Sequence, residues 1–170
     1  MESFDIVTIT VNPALDKSAH FKGLVAEQKI RCEEPRYDAG GGGINVSKAI
    51  SRLGGTSLAV FTSGGPTGKM LEGLISKERI KHKAIEIQSW TRESFVGVDD
   101  NTNSQYRFSF PGPAITSAEK EEIIKTIREL KPKFLVVSGG LNKDLSIDFY
   151  QKIAEIAKKS DSKMIVDTSG

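Results

Sequence analysis

Four glycines in a row, Gly40 to Gly43, run straight into Ile44-Asn45-Val46-Ser47-Lys48-Ala49-Ile50. Glycine lets the backbone reach unusual dihedrals and lets a ligand approach the main chain closely. The N–H groups at a helix start have no intrahelical partners, so they favour polar or anionic oxygens. A polyhydroxylated or phosphorylated small molecule suits such a turn; a plain flexible turn is the other reading of the same run. Asp16 closes Asn12-Pro13-Ala14-Leu15-Asp16, which follows the first apolar run. A carboxylate there can accept hydrogen bonds from sugar hydroxyls, or it can serve a turn. Asn45, at the helix start, can donate and accept through its amide. Ser138-Gly139-Gly140 follows a later apolar run on what would be the same rim. Lys29, Arg31, Arg92 and Arg107 supply cations. Converging, they would hold a phosphate by charge-assisted bonds; apart, each is a solvated surface charge.

Other chemistries find little support. The glycine run is not a dinucleotide fingerprint, because no ordered G-x-G-x-x-G with its later acidic residue is present. Gly64-Gly65-Pro66-Thr67-Gly68-Lys69-Met70 is not a P-loop. Met70 stands where Ser or Thr must reach magnesium, and Ser63 takes the place of the first glycine. That cluster reads as a strand-to-helix turn. His20 and His82 lack ligand spacing and read as surface residues, so no metal site is expected. No Ser/His/Asp grouping stands out, and no carboxylate has the context of a phosphoryl-transfer base.

The elements that must position these residues come in two textures. In the first, strands alternate with helices. Residues 6–11, 58–62, 134–137 and 164–166 are β-branched or apolar runs of the buried-strand kind. Between them lie helical patterns. Val46, Ala49, Ile50 and Leu53 predict one buried face. A helix carrying Met70, Leu71, Leu74 and Ile75 is expected from about Thr67. Thr116 and Glu119 form a capping-box pair ahead of Ile123, Ile124, Ile127 and Leu130. Ser146 precedes a helix with Phe149, Ile153, Ile156 and Ala157 inward. Strands joined by helices imply right-handed crossovers and a doubly wound parallel sheet. The second texture, from Lys17 to Tyr37 and from Ala84 to Phe110, is strand without helix. Ile85-Glu86-Ile87-Gln88 alternates, and the turn cluster 99–104 joins Phe95-Val96-Gly97-Val98 to Tyr106-Arg107-Phe108. These pieces predict a small inserted antiparallel sheet that acts as a lid or a partner surface.

The 170 residues suffice for one ordinary domain with a real core. With 24 basic and 22 acidic residues, the net charge of +2 gives no argument for nucleic acid or membrane partners. No apolar run is long enough to span a bilayer, and the N-terminus lacks a signal pattern. The lone Cys32 excludes an internal disulfide and fits a reducing cytoplasm; it reads as a buried or half-buried thiol rather than a nucleophile. Asp167-Thr168-Ser169-Gly170 follows a strand with no helix to cover it, so the sequence reads as a piece of a longer chain.

Assembled in order, these residues resemble the PfkB (ribokinase-like) carbohydrate kinases, of the minor ATP-dependent 6-phosphofructokinase type. The resemblance runs from Thr10-Val11-Asn12-Pro13-Ala14-Leu15-Asp16 through Lys29-Ile30-Arg31-Cys32, Gly40 to Val46, and Leu53-Gly54-Gly55. It continues with Trp90-Thr91-Arg92, Gln105-Tyr106-Arg107-Phe108, Phe110-Pro111-Gly112 and Val137-Ser138-Gly139, and closes on residues 165–170. It implies a ribokinase-like, mainly parallel sheet with a lid that also mediates a homodimer. It implies that Asp16 binds sugar hydroxyls, with Gly41, Gly42 and Asn45 lining the sugar site. Lys29, Arg92 and Arg107 would hold the phosphate already on the sugar, Arg107 from the same subunit or its partner. Ser138 and Gly139 would border the substrate. The family's usual Ser-Gly-Ser-Leu-Pro here reads Ser138-Gly139-Gly140-Leu141-Asn142. The family's Mg-ATP site, its Asn-x-x-Glu motif and its catalytic Gly-Ala-Gly-Asp belong to a second half that residues 1–170 do not contain. No catalytic residue and no tight ATP binding are therefore expected of this chain. Fructose 6-phosphate is the implied substrate; 1-phosphofructokinase or tagatose-6-phosphate kinase is the alternative type. A non-catalytic fragment persisting as a lid-mediated dimer is the alternative of another class.

Overall fold

The computed structural model describes residues 3–140, 142 and 144–168. In chain order the elements are β1 (Ile6–Thr10), β2 (Ala14–Phe21), β3 (Arg36–Gly40), α1 (Gly42–Arg52), β4 (Leu58–Ser63), α2 (Gly65–Lys77), β5 (His82–Glu86), β6 (Arg92–Asp99), β7 (Ser104–Ser109), α3 (Ser117–Leu130), β8 (Phe134–Ser138), α4 (Ile147–Lys159) and β9 (Lys163–Asp167). Five strands form a parallel sheet in the order β5-β4-β1-β8-β9. From β1 the chain first builds to one side, through β4 and β5, and then to the other, through β8 and β9. The carboxyl ends of β1 and β8 are therefore a topological switch point, where open α/β sheets hold their ligands.

Side-chain alternation along β1 divides the core. Val7, Ile9 and Val11 join Leu58, Val60, Leu135 and Val137 against Ile123, Ile127, Phe149 and Ile153 of α3 and α4. On the opposite face Ala59 and Phe61 pack with Ile44, Leu71 and Ile75 of α1 and α2. Thr8 and Thr10 alternate with Val7 and Ile9 and so face α1. Thr8 Oγ1 lies 2.8 Å from Ser47 Oγ, which also accepts from Ser57 Oγ at 2.9 Å; all three residues are buried. Thr10 Oγ1 accepts the Ile44 N–H at 3.1 Å. These hydroxyls are costly to bury unpaired, and they fix the rotation of the helix. As a result α1 buries Gly43, Ile44 and Ser47, not the expected Val46, Ala49, Ile50 and Leu53 stripe. Leu53 is 87% exposed.

The other helices follow the sequence more closely. α2 opens at Gly65 directly after β4, so the second glycine cluster is a strand-to-helix turn. α3 carries the full Thr116–Glu119 capping box. Ser146 occupies the N-cap position of α4 but makes no cap bond. The parallel sheet ends on β9, where Ile165 and Val166 are about half exposed. Leu141, Ser169 and Gly170, quoted above, lie outside the described residues. Among the described residues no helix is long and apolar enough to cross a membrane.

The inserted sheet, in the order β3-β2-β6-β7, corrects three expectations. It is mixed rather than antiparallel: β2 pairs with β3 and β6 with β7 antiparallel, but β2 and β6 are parallel. The reason is topological. β2 follows β1 and β6 follows β5, so both leave the same end of the parallel sheet and run outward side by side. Second, Ile85 belongs to β5, which pairs with β4 in the parallel sheet, so the second lid portion starts at Arg92 and not at Ala84. Third, Cys32 is exposed, in a β2–β3 connection whose one bridge is Phe21 to Cys32. His20 is exposed as expected, whereas His82 is half-buried and stacked on Phe61.

Register separates the two faces of this sheet. Tyr37, Lys17, Phe95 and Phe108 stand in one cross-strand row. Lys17 lies over the Tyr37 ring, Phe95 stacks on Phe108, and Phe21 meets Tyr106. The next row, on the opposite face, is Asp38, Asp16, Ser94 and Ser109. One side of the lid is thus largely aromatic and the other polar.

Candidate functional site

The glycine run makes the turn from β3 into α1, and each glycine admits a close neighbour. A Cβ on Gly40 would stand 2.1 Å from Asp16 Oδ2. On Gly42 it would stand 2.2 Å from Ser138 Oγ and 2.8 Å from the Gly139 nitrogen. On Gly43 it would stand 2.7 Å from the Ile9 carbonyl oxygen. Gly41, with φ +130°, caps the helix without a side chain. The start of α1 is therefore pressed against the ends of β1 and β8, at the switch point, with no side chain on its first two residues, Gly42 and Gly43.

Asp16 enters from the lid. It projects from β2 beside Ser94 of β6, whose hydroxyl donates to Asp16 Oδ1 at 2.6 Å. The carboxylate is thereby oriented over the glycine turn. Arg92, half-buried at the root of β6, donates from Nε to Asn12 Oδ1 at 3.1 Å and from Nη1 to Ser109 Oγ at 3.2 Å. On the far rim, Ser138 Oγ donates to Asp167 Oδ2 at 3.0 Å, and the Gly139 N–H to the Asp167 carbonyl at 3.0 Å. Asp16, Gly41, Gly42, Arg92, Ser138 and Gly139 therefore gather around one rim.

Three expected residues stand less centrally. Asn45 lies in the first turn of α1 and is exposed. Arg107 shares the polar lid face, opposite Val96, but is exposed and donates to Gln105 at 3.3 Å. Lys29 sits on the β2–β3 connection and lines a separate open cavity of about 440 Å³ with Lys22, Arg31 and Cys32. Within this one chain neither Lys29 nor Arg107 has a described contact with Asp16 or Arg92. A larger groove of about 1140 Å³ runs between α3 and α4, edged by Lys120, Lys152, Glu121 and Glu155. It holds none of the expected residues, whereas the rim gathers six of them, so the rim is the better site. Among the described residues no group of three or more His, Cys, Asp or Glu could hold a metal ion.

The whole chain, residues 1–170, matches the pfkB family of carbohydrate kinases. This chain is a pfkB-family carbohydrate-kinase chain. It is 42% identical over 167 residues to the ATP-dependent 6-phosphofructokinase isozyme 2 of Mycobacterium tuberculosis, covering 97% of this chain and 49% of that one. It is 31% identical to the D-tagatose-1-phosphate kinase of Bacillus licheniformis, covering 96% of this chain and 53% of that one. The crystal structure of Escherichia coli phosphofructokinase-2 in complex with fructose-6-phosphate superposes with a TM-score of 0.93 at 34% identity, covering 98% of this chain and 55% of that one. The pfkB chain thus spans about half the length of the curated relatives it matches.

In this pfkB chain the expected residues are held by partners distant in sequence. Ser94 orients Asp16, Asn12 and Ser109 orient Arg92, and Asp167 fixes Ser138. One signal was available. Arg92 and Ser94 are two apart on a strand, so they share a face. The pairing of that strand with β2 was not visible.

Proposed function

We propose that this pfkB chain forms the sugar-phosphate-binding portion of an ATP-dependent 6-phosphofructokinase. At its relatives' full length the protein would transfer the γ-phosphoryl group of ATP to fructose 6-phosphate. One observation carries the reading: Gly42 packs flush on Ser138 at the switch point while Asp16, braced by Ser94, lies over Gly40. That floor offers backbone N–H groups and a carboxylate to a polyol, with Arg92 beside it for an anion. Its chemical contribution is binding and orientation, which dominate phosphoryl transfer. The 170-residue chain itself is proposed to lack kinase activity, because it spans about half the length of the kinases it matches. Calorimetric titration with fructose 6-phosphate and with ATP, separately, tests this. Saturable binding of the sugar phosphate without comparable ATP binding is expected. Comparable ATP binding, or none of the sugar phosphate, would overturn it. Fructose 1-phosphate and tagatose 6-phosphate as competitors decide between this and the runner-up kinase types.

The aromatic row of the lid supports a second element of the reading, a homodimer through that face. Phe108 is 50% exposed at the edge of the row, beside Phe95. Burying such rings against a second copy removes apolar area from water at about 25 cal/mol per Å². Light scattering is expected to give a dimer mass that falls to the monomer in Phe108→Asp. A monomeric parent protein would sink the idea.

A further inference from the structure

Asn12 lies between the end of β1 and the start of β2. Its Oδ1 accepts from Arg92 Nε, while Nη1 of the same guanidinium is bound to Ser109 at the end of β7. Arg92 is thus gripped from two strand ends, and among the described residues its Nη2 makes no bond. Asn12 is itself confined. A Cβ on Gly112 would stand 2.5 Å from Asn12 Oδ1 and 2.7 Å from Nδ2, so the chain beyond β7 presses on the amide. The next residue, Pro113, offers its carbonyl to Asn142 Nδ2 at 2.6 Å, and Asn142 is buried. A continuous set of contacts therefore runs from the loop after β8, through residues 112–113 and Asn12, to the Arg92 guanidinium. Asn142 stands where the family resemblance has proline, which could not donate this bond.

We propose that Asn12 is a positioning residue: it holds Arg92 so that the unbonded Nη2 edge faces the phosphate of a bound sugar phosphate. The idea rests on the sugar-phosphate reading. An arginine held in place by a neutral acceptor keeps its charge and loses less rotamer freedom when the ligand arrives. An acid at this place would instead neutralise it.

The test is a double-mutant cycle read by calorimetric titration of the 170-residue protein with fructose 6-phosphate. Asn12→Ala is expected to weaken binding about five- to tenfold, less than Arg92→Ala, and to add nothing in the Arg92→Ala background. Fully additive effects would show that Asn12 acts on something other than Arg92, and unchanged affinity in Asn12→Ala would show no role; either overturns the proposal while leaving the sugar-phosphate reading intact. Unchanged affinity in Arg92→Ala overturns the phosphate clamp and the proposal together. If Asn12→Ala does not fold, Gly112→Ala displaces the same amide. It is expected to weaken binding in the parent and not in the Arg92→Ala background, and unchanged binding in the parent overturns the proposal.

Discussion

Replacing Arg92 with alanine is expected to weaken fructose 6-phosphate binding by roughly 10- to 150-fold. A hydrogen bond between charged groups contributes about 1.5–3 kcal/mol, and each 1.4 kcal/mol is about tenfold in affinity. The effect should be large because Arg92 is half-buried at the root of β6 and already fixed by Asn12 and Ser109. Its contribution should also be selective. In the protein at its relatives' full length, KM for the sugar phosphate should rise while KM for ATP stays close to its original value. Asp16→Ala supplies the contrast, since it removes a hydroxyl acceptor rather than a phosphate donor. It should weaken phosphorylated and unphosphorylated fructose by similar factors, whereas Arg92→Ala should affect the phosphorylated sugar alone. Steady-state kinetics with both ligands separate the roles. Equal changes in KM for ATP and sugar phosphate on losing Arg92 would remove it from the clamp.

Gly42→Ala is the second large effect, and its sign runs against the usual rule. Alanine in place of a helical glycine ordinarily stabilises by about 0.5–1 kcal/mol. Here the added methyl would lie 2.7 Å from the Ser138 carbonyl carbon and 2.8 Å from the Gly139 nitrogen. Both are backbone atoms of a strand end, which cannot swing aside as a flexible side chain can. Overpacking of this kind costs about 1–3 kcal/mol, and relief requires α1 to withdraw from β8. The withdrawal would open the floor on which the sugar is expected to sit, so binding should fall at least about tenfold with stability. Gly73→Ala on α2, where the new methyl meets nothing within 4 Å, is the control and should be neutral or stabilising. Urea unfolding and sugar-phosphate titration of both variants check the pair. A Gly42→Ala protein as stable as its parent would show that the rim yields more easily than its contacts indicate.

Much of this architecture could be read from local pattern. The strands at 6–10, 58–63 and 134–138, the capping box at Thr116, and the hairpin around residues 99–104 each have a signal confined to neighbours in sequence. The errors arose where a distant partner decides. α1 looked amphipathic about Val46 and Leu53, yet Thr8 and Thr10 required hydroxyl and N–H partners and turned the helix onto Ser47 and Ile44. The lid strands were recognised, but the parallel pairing of β2 with β6 depends on where both leave the larger sheet. Lys29, grouped by sequence order with the cations of the lid, lines a cavity apart from Arg92 within this one chain. That the glycines, Asp16 and Ser138 share one rim was legible because each follows a strand end, which local pattern does locate.

The Thr8–Ser47–Ser57 hydroxyls behave as a detent. A greasy contact tolerates a helix that slides or rolls by part of a turn, because hydrocarbon has no preferred direction. Hydrogen bonds do have one, and a shift of α1 by one residue would strand three buried oxygens at once. The axial setting of the helix is consequently indexed from its middle, several residues behind the glycines it delivers. The mouth of the cradle can remain bare of side chains because its alignment is secured further back.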